Sequence, residues 1–148
     1  ADLVKRMVEE GHVVGNHSVT HPDMTTKSDA EIADEINGCS DYFKEVTGQE
    51  MPHFFRPPEG AYSIRTLEKT KELGYKTIFW SFAYKDWLVD AQPGKQAAYD
   101  NVMKYSHNGC IMLLHAVSQS NTEALDSIIK DLKAQGYTFK SLYDLPQW

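Results

Sequence analysis

Two histidines, His17 and His21, stand four positions apart in the segment GNHSVTH. If the chain turns helically after His17, both rings can face one ion, and Zn²⁺ and similar ions accept imidazole nitrogen as a ligand. A catalytic zinc site usually has three protein ligands and an open position for water, and no carboxylate in this chain stands out as the third. Six histidines in 148 residues also produce such a pair by chance, so ordinary loop histidines remain the alternative.

Arg56 lies in the segment FFRPPEG, after two phenylalanines typical of a strand and before two prolines that restrict the backbone. A guanidinium held in this way can pair with a carboxylate in a fixed geometry. The backbone N–H groups of Glu59 and Gly60 follow in the same stiff turn, where they can stabilise an oxyanion. The alternative is a surface arginine that precedes a turn.

His115 follows the apolar run CIMLL, so we expect its ring at the mouth of a buried strand rather than in bulk water. A histidine in that position can act as a general acid at neutral pH, whereas the alternative is a hydrogen-bonded core histidine. Asp86 and Trp87, in the segment YKDWL, add an acid and a large aromatic ring near the end of another predicted strand. Trp87 can pack on the face of a sugar or fill the core.

Segments with helical periodicity alternate with short apolar segments along the whole chain. Ser28 in the segment SDAE predicts a capping box, and Ser63 is predicted to cap the helix that follows it. The predicted helices cover residues 3–8, 28–47, 63–73, 95–106 and 125–132. The predicted strands cover residues 12–18, 53–56, 76–82, 109–115 and 137–142.

Apolar strands between amphipathic helices predict a parallel sheet covered by helices, an α/β fold in one domain over residues 1–148. Both an open sheet and a (β/α) barrel fit this alternation. Polar residues collect at the predicted carboxyl ends of the strands, where barrels place their active sites, and this favours the barrel. These residues are His17, Arg56, Asp86 and His115.

The composition argues against several classes of function. Hydrophobic residues make up 41% and charged residues 24%, as in globular domains. The net charge of -6 argues against a nucleic-acid partner, which requires a basic face. No apolar run reaches the roughly 18 residues of a membrane span. The chain opens inside a predicted helix without an initiator methionine, so we expect a truncated start, and the missing signal segment says nothing about compartment.

The order of these segments is more specific than any one of them. HSVTH, RPPEG, KDW and LLH resemble motifs two to five of the polysaccharide deacetylase family, the NodB-homology domain of carbohydrate esterase family four, across residues 12–145. The stretch FWSFAYKDW further resembles the delta-lactam-biosynthetic de-N-acetylase branch, which acts on N-acetylmuramic acid in peptidoglycan. The resemblance implies a distorted (β/α) barrel of the NodB type and metal-assisted hydrolysis of an acetamide to an amine and acetate.

The resemblance also implies a role for each matching residue. His17 and His21 would bind a divalent metal, usually zinc, and Arg56 would position the catalytic aspartate. The backbone amide of Glu59 would hold the tetrahedral oxyanion, and His115 would protonate the leaving amine as the general acid. The residues that would line the acetyl pocket or contact the substrate are Leu113, Trp87 and Tyr62.

The chain departs from the family pattern in motif four. That motif often contains an additional aspartate that tunes the histidine of motif five, and Ala83 stands at its position here. Either Asp86 takes over this role, or His115 is tuned in another way. Ser81 is a further polar candidate in the same segment.

The family's first motif, an Asp-Asp pair at the end of a strand, does not occur in this chain. Because that pair supplies the catalytic base and the third metal ligand, we expect an N-terminally truncated domain that alone is inactive and binds metal weakly. Unpaired barrel edges would favour self-association. The expected setting is the cell wall or the extracellular space, with an N-acetylated glycan, peptidoglycan, as the substrate. The alternatives are a degenerate domain that binds glycan without turnover and another metal-dependent hydrolase such as a phosphoesterase.

Overall fold

The computed structural model describes residues 1–146, which form a compact unit over Ala1–Phe79 and a second one from Trp80 onward. Each helix predicted from the sequence is confirmed. The first unit contains α1 (Asp2–Glu9), α2 (Asp29–Thr47), β1 (Phe54–Phe55), α3 (Ile64–Glu72) and β2 (Lys76–Thr77). The second unit contains α4 (Lys95–Tyr105) and α5 (Gln119–Ala134). Short 3₁₀ turns lie at Met24–Thr26, Pro58–Gly60 and Leu142–Asp144.

Local hydrogen bonds set where α2 and α3 begin. The Ser28 hydroxyl accepts from the backbone N–H of Glu31, and the Glu31 carboxylate accepts from the backbone N–H of Ser28. Ser63 and Thr66 form the same reciprocal arrangement at the start of α3. Gly48, with a left-handed φ of 72°, ends α2 as the sequence predicts. The two predicted N-caps and the predicted C-cap are confirmed.

The sheet is smaller than the sequence predicts. Within the described residues, β1 and β2 form a two-stranded parallel sheet, and β2 covers only the first two residues of its predicted strand. The prediction of a strand over residues 12–18 is wrong, because this segment pairs through one bridge only, between Asn16 and Phe55. Gly15 allows the close approach, since a Cβ there would lie 3.1 Å from the Phe54 carbonyl oxygen.

The second unit shows the same difference. The prediction of a strand over residues 109–115 is wrong, because a single bridge joins Met112 to Phe82. The predicted strand over residues 137–142 is also wrong, and its last residue begins the turn Leu142–Asp144. A strand needs a backbone partner for successive residues, and an apolar or β-branched pattern alone does not provide one. The described residues therefore have an α/β architecture that does not show a barrel.

Each unit has its own apolar core. The first packs the apolar face of α2 around β1, and the second packs α4 against α5. Leu125, predicted to face the core, is 44% exposed, and Ala124 is buried instead. The core residues are Met24, Ile32, Ile36, Phe55 and Tyr75 in the first unit, and Ala98, Val102, Ala124, Ile128 and Leu132 in the second. Over residues 1–146, no helix combines the length and apolar character that crossing a membrane requires.

Candidate active site

The rings of His17 and His21 lie together, with centroids 4.9 Å apart in an edge-to-face arrangement. Left-handed backbone at Ser18 and His21, with φ of 67° and 56°, produces this proximity instead of the helical turn expected from the spacing. The Asn16 side-chain oxygen accepts from the Ser18 backbone N–H, and the Ser18 hydroxyl accepts from the His21 backbone N–H, both at 3.0 Å. Backbone conformations of this kind persist where the surroundings impose them, and they cluster at functional sites.

Glu35 of α2 fastens the same loop from the other side. Its carboxylate accepts from the backbone N–H groups of Val19 and Thr20, each at 2.8 Å, and from the Thr20 hydroxyl. Burial raises the pKa of Glu35, but the hydrogen bonds from Thr20 and Val19 outweigh it and hold that pKa below its ordinary value. The charged carboxylate thus fixes the residues between the two histidines. No motif points to Glu35, because a single glutamate on a helix has no distinctive spacing.

The orientation of the His17 ring is fixed by a backbone carbonyl. Its Nδ1 lies 2.6 Å from the carbonyl oxygen of Arg56, and a carbonyl can only accept. Nδ1 therefore carries the proton of the neutral ring, and the lone pair is on Nε2, as a metal-binding histidine requires. His17 and His21 fit a divalent metal as two of its ligands. Within residues 1–146, no group of three His, Cys, Asp or Glu side chains could hold one.

Arg56 follows β1, and its backbone N–H donates to the Asn16 carbonyl oxygen at 2.9 Å. The guanidinium is half-buried, and this burial lowers its pKa from the ordinary value. Among residues 1–146, no carboxylate forms an ion pair with Arg56. The role of Arg56 in positioning an aspartate stays a prediction.

The turn after Arg56 contains a third left-handed residue, Glu59. Glu59 has a φ of 57° within Pro58–Gly60, a conformation that costs a non-glycine residue roughly 1–2 kcal/mol. The backbone N–H of Gly60 donates to the Pro57 carbonyl oxygen at 3.1 Å, so this predicted oxyanion donor is used within the turn. Of the two backbone N–H groups considered, that of Glu59 remains the predicted donor to an oxyanion.

In the second unit, Asp86 is fully buried and binds His115 twice. Its Oδ1 lies 2.6 Å from His115 Nδ1, and its Oδ2 accepts from the His115 backbone N–H at 2.8 Å. Because the carboxylate accepts, Nδ1 donates, and the neutral ring has its lone pair on Nε2. Trp87 packs edge to face on this ring, with centroids 5.4 Å apart. Ser81, the other candidate partner, instead accepts from the backbone N–H of Ile111 at 3.0 Å.

A layer of polar side chains behind Asp86 is not evident from the motifs. Asn121 Nδ2 donates to Asp86 Oδ2 at 2.6 Å, and the Tyr84 hydroxyl donates to Asn121 Oδ1. Gln92 Nε2 donates to the backbone carbonyl of Asp86 at 2.9 Å, and the Ser118 hydroxyl donates to Gln92 Oε1 at 2.7 Å. The loop that carries Asp86 is thereby tied to the start of α5.

The remaining predicted substrate residues differ in exposure. Tyr62 is 60% exposed and packs edge to face on Phe79, with ring centroids 5.1 Å apart. Leu113 is buried, and its backbone N–H donates to the Phe82 carbonyl oxygen at 3.1 Å. Tyr62 is thus open to a ligand, whereas Leu113 is largely covered.

Comparison with known proteins shows which protein family this chain is similar to. The family model for polysaccharide deacetylase matches residues 1–78. The chain is 51% identical, over 97% of its length, to peptidoglycan-N-acetylmuramic acid deacetylase PdaA of Bacillus subtilis, and covers 54% of that protein. It is also 33% identical to peptidoglycan-N-acetylglucosamine deacetylase of Bacillus cereus, over 97% of the chain and 67% of the relative. The chain belongs to the polysaccharide deacetylase family.

Solved structures agree with the sequence comparison. The structure of Bacillus subtilis PdaA, a family 4 carbohydrate esterase, superimposes with a TM-score of 0.93 at 50% identity, covering 97% of this chain and 62% of PdaA. A CE4 family pseudoenzyme from Bacillus anthracis superimposes with a TM-score of 0.84 at 34% identity, covering 93% of this chain and 47% of that protein. The chain spans about half the length of two curated relatives that it matches, 54% in each case.

Proposed function

We propose that the protein carrying this chain removes acetyl groups from peptidoglycan by hydrolysing the acetamide to an amine and acetate, with N-acetylmuramic acid as the residue acted upon. The observation that carries the proposal is the Asp86–His115 pair, a buried carboxylate that orients a partly exposed imidazole. The 51% identity to an N-acetylmuramic acid deacetylase supports the choice of sugar.

His17 and His21 would hold the divalent metal, and zinc suits two imidazole ligands. A bound metal of this kind supplies Lewis-acid polarisation of the amide carbonyl and activation of water. We propose that a carboxylate from outside residues 1–146 completes the ligand set and that a second acts as the base. The orientation of His17 by the Arg56 carbonyl supports the assignment of these two ligands.

The chain's own residues would then act on the leaving group. His115, protonated on both ring nitrogens, would donate from Nε2 to the amide nitrogen as the C–N bond breaks. Asp86, which accepts from Nδ1, would stabilise the charged ring before the proton transfer. After the transfer it would keep the neutral ring in the same orientation. The backbone N–H of Glu59 would donate to the oxyanion that forms when water adds to the carbonyl carbon. The peptidoglycan substrate implies that the protein works in the cell wall or outside the cell.

A second function, glycan binding without turnover, is favoured by the likeness to the CE4 family pseudoenzyme. Acetate release from purified peptidoglycan, measured with zinc present, separates the two. A deacetylase releases acetate, and His115→Asn lowers its kcat by roughly a hundredfold or more. His107→Asn, at an exposed histidine, is the matched control and should retain the wild-type rate. Binding to peptidoglycan with no acetate released by the wild type would support the non-catalytic function instead.

A further inference from the structure

Asn121, in the first turn of α5, buries its side-chain amide against the general-acid pair. Its Nδ2 donates to Asp86 Oδ2 at 2.6 Å and lies 3.3 Å from the backbone carbonyl oxygen of His115. One NH₂ group therefore contacts both members of the pair. We propose that Asn121 is a positioning residue for the Asp86–His115 pair, an inference that rests on the proposed deacetylation.

The orientation of the Asn121 amide follows from its neighbours. Both atoms next to Nδ2, on Asp86 and His115, are acceptors, so the NH₂ end faces them and Oδ1 faces the Tyr84 hydroxyl. Tyr84 must then donate. Burial raises the pKa of Tyr84, and the charge of Asp86 raises it further, so the hydroxyl keeps its proton through the neutral range. The Tyr84 ring packs against the α4–α5 core, which anchors the far end of the chain of hydrogen bonds.

This chain of hydrogen bonds restricts the rotation of the Asp86 carboxylate. Oδ2 accepts from two donors, the His115 backbone N–H and Asn121 Nδ2, which leaves Oδ1 directed at His115 Nδ1. Without Asn121, Oδ2 keeps only one of these donors, and the carboxylate can turn away from the ring. The proton on Nδ1 is then held less firmly, and the tautomer with its lone pair on Nε2 is less favoured.

Three variants of the purified protein test the proposal by acetate release from peptidoglycan. Asn121→Ala should lower kcat by roughly ten- to a hundredfold with little change in KM, because a hydrogen bond to a charged acceptor is lost. Tyr84→Phe keeps the ring and removes only the hydroxyl, so a smaller loss of roughly two- to fivefold is expected. Ser120→Ala is the matched control, because Ser120 is buried on the same turn of α5 and its hydroxyl accepts from the Gly94 backbone N–H, away from Asp86.

A spectroscopic readout separates positioning from general destabilisation. Side-chain ¹⁵N NMR of His115, at a pH where the ring is neutral, should show the Nδ1–H tautomer in the wild type and in Ser120→Ala, and a mixture in Asn121→Ala. A wild-type kcat with an unchanged tautomer in Asn121→Ala overturns the proposal, as does an equal loss in Ser120→Ala. If Asn121→Ala does not fold, Tyr84→Phe decides by the same two measurements. Should the wild type release no acetate, the proposed function fails, while the tautomer still decides the role of Asn121.

Discussion

Replacing Asp86 with asparagine keeps the shape of a fully buried side chain but removes its charge and one acceptor. The carboxylate accepts from His115 Nδ1, from the His115 backbone N–H and from Asn121 Nδ2. The side-chain oxygen of the asparagine can accept from the His115 backbone N–H and from Asn121 Nδ2 only if its NH₂ group faces His115 Nδ1. Nδ1 must then accept, so the proton of the neutral ring moves to Nε2. Asp86→Asn should therefore invert the tautomer of His115.

The size of the effect follows from these contacts. Loss of the charge at a site with three donors should cost about 1.5–3 kcal/mol of unfolding free energy, the contribution of one hydrogen bond to a charged group. For a chain of this length, each kcal/mol lowers the melting temperature by about 2–4 °C. The expected loss in kcat is at least roughly tenfold, and the upper limit is the roughly ten-thousandfold loss that the equivalent change causes in Ser-His-Asp triads.

Acetate release gives kcat, and ¹⁵N NMR of the His115 ring gives the tautomer in the same samples. Asp90→Asn removes an exposed carboxylate four residues away, and this control should keep both the wild-type rate and the Nδ1–H tautomer. A folded Asp86→Asn protein with wild-type kinetics would remove Asp86 from the general-acid mechanism. An unchanged tautomer with reduced activity would show instead that charge, and not proton placement, is what Asp86 contributes.

Three other perturbations test the remaining parts of the structure. His17→Ala removes a proposed metal ligand and should weaken zinc binding, measured by calorimetry. Loss of an outer-shell partner already costs roughly 10–100-fold in affinity, so the loss here should be at least that large. The pKa of Glu35 in the folded protein is held below its ordinary value, so Glu35 stabilises the loop fully at pH values above its ordinary pKa. This stabilisation is lost as the pH falls through the lowered pKa of the folded protein. The Thr20 amide should therefore lose protection from hydrogen exchange on acidification. Ile36→Ala, in the first core, should cost about 2–5 kcal/mol in denaturant unfolding, whereas the exposed Ile64→Ala should change it by less than about 0.5 kcal/mol.

The helices could be predicted because their signals are local. The Ser28 capping box and the left-handed Gly48 depend only on residues within a few positions, and both occur as the sequence indicates. The strands could not be predicted in this way, because a strand is defined by a neighbour distant in the chain. Residues 12–18 contain the β-branched pair Val13 and Val14, yet the pairing of this segment depends on Phe55 and reduces to one bridge. The apolar pattern therefore overstated the hydrogen bonding of these segments, and residues 137–142 are mostly exposed as well.

The site shows a similar division. His17, His21, Asp86 and His115 are motif residues, and the structure brings the first two together and the last two together. The residues that hold them in place are outside the motifs. Glu35 acts on the loop between the histidines from a helix 15 residues away in sequence, so no short pattern could connect them. Its contribution depends on the left-handed path of the loop, which the helical spacing of the two histidines does not predict.

Asn121 is the case in which a sequence signal existed. The face of α5 that packs on α4 is defined by Ala124, Ile128 and Leu132, and extending it by one turn toward the N-terminus reaches Ser120 and Asn121, which are both buried. A polar amide on a buried helical face must find hydrogen-bond partners, because an unsatisfied one costs about 1–3 kcal/mol. The position therefore predicts a buried polar cluster at the start of α5. It cannot predict that the acceptor is Asp86, because that contact spans 35 residues and depends on the path of the intervening loop.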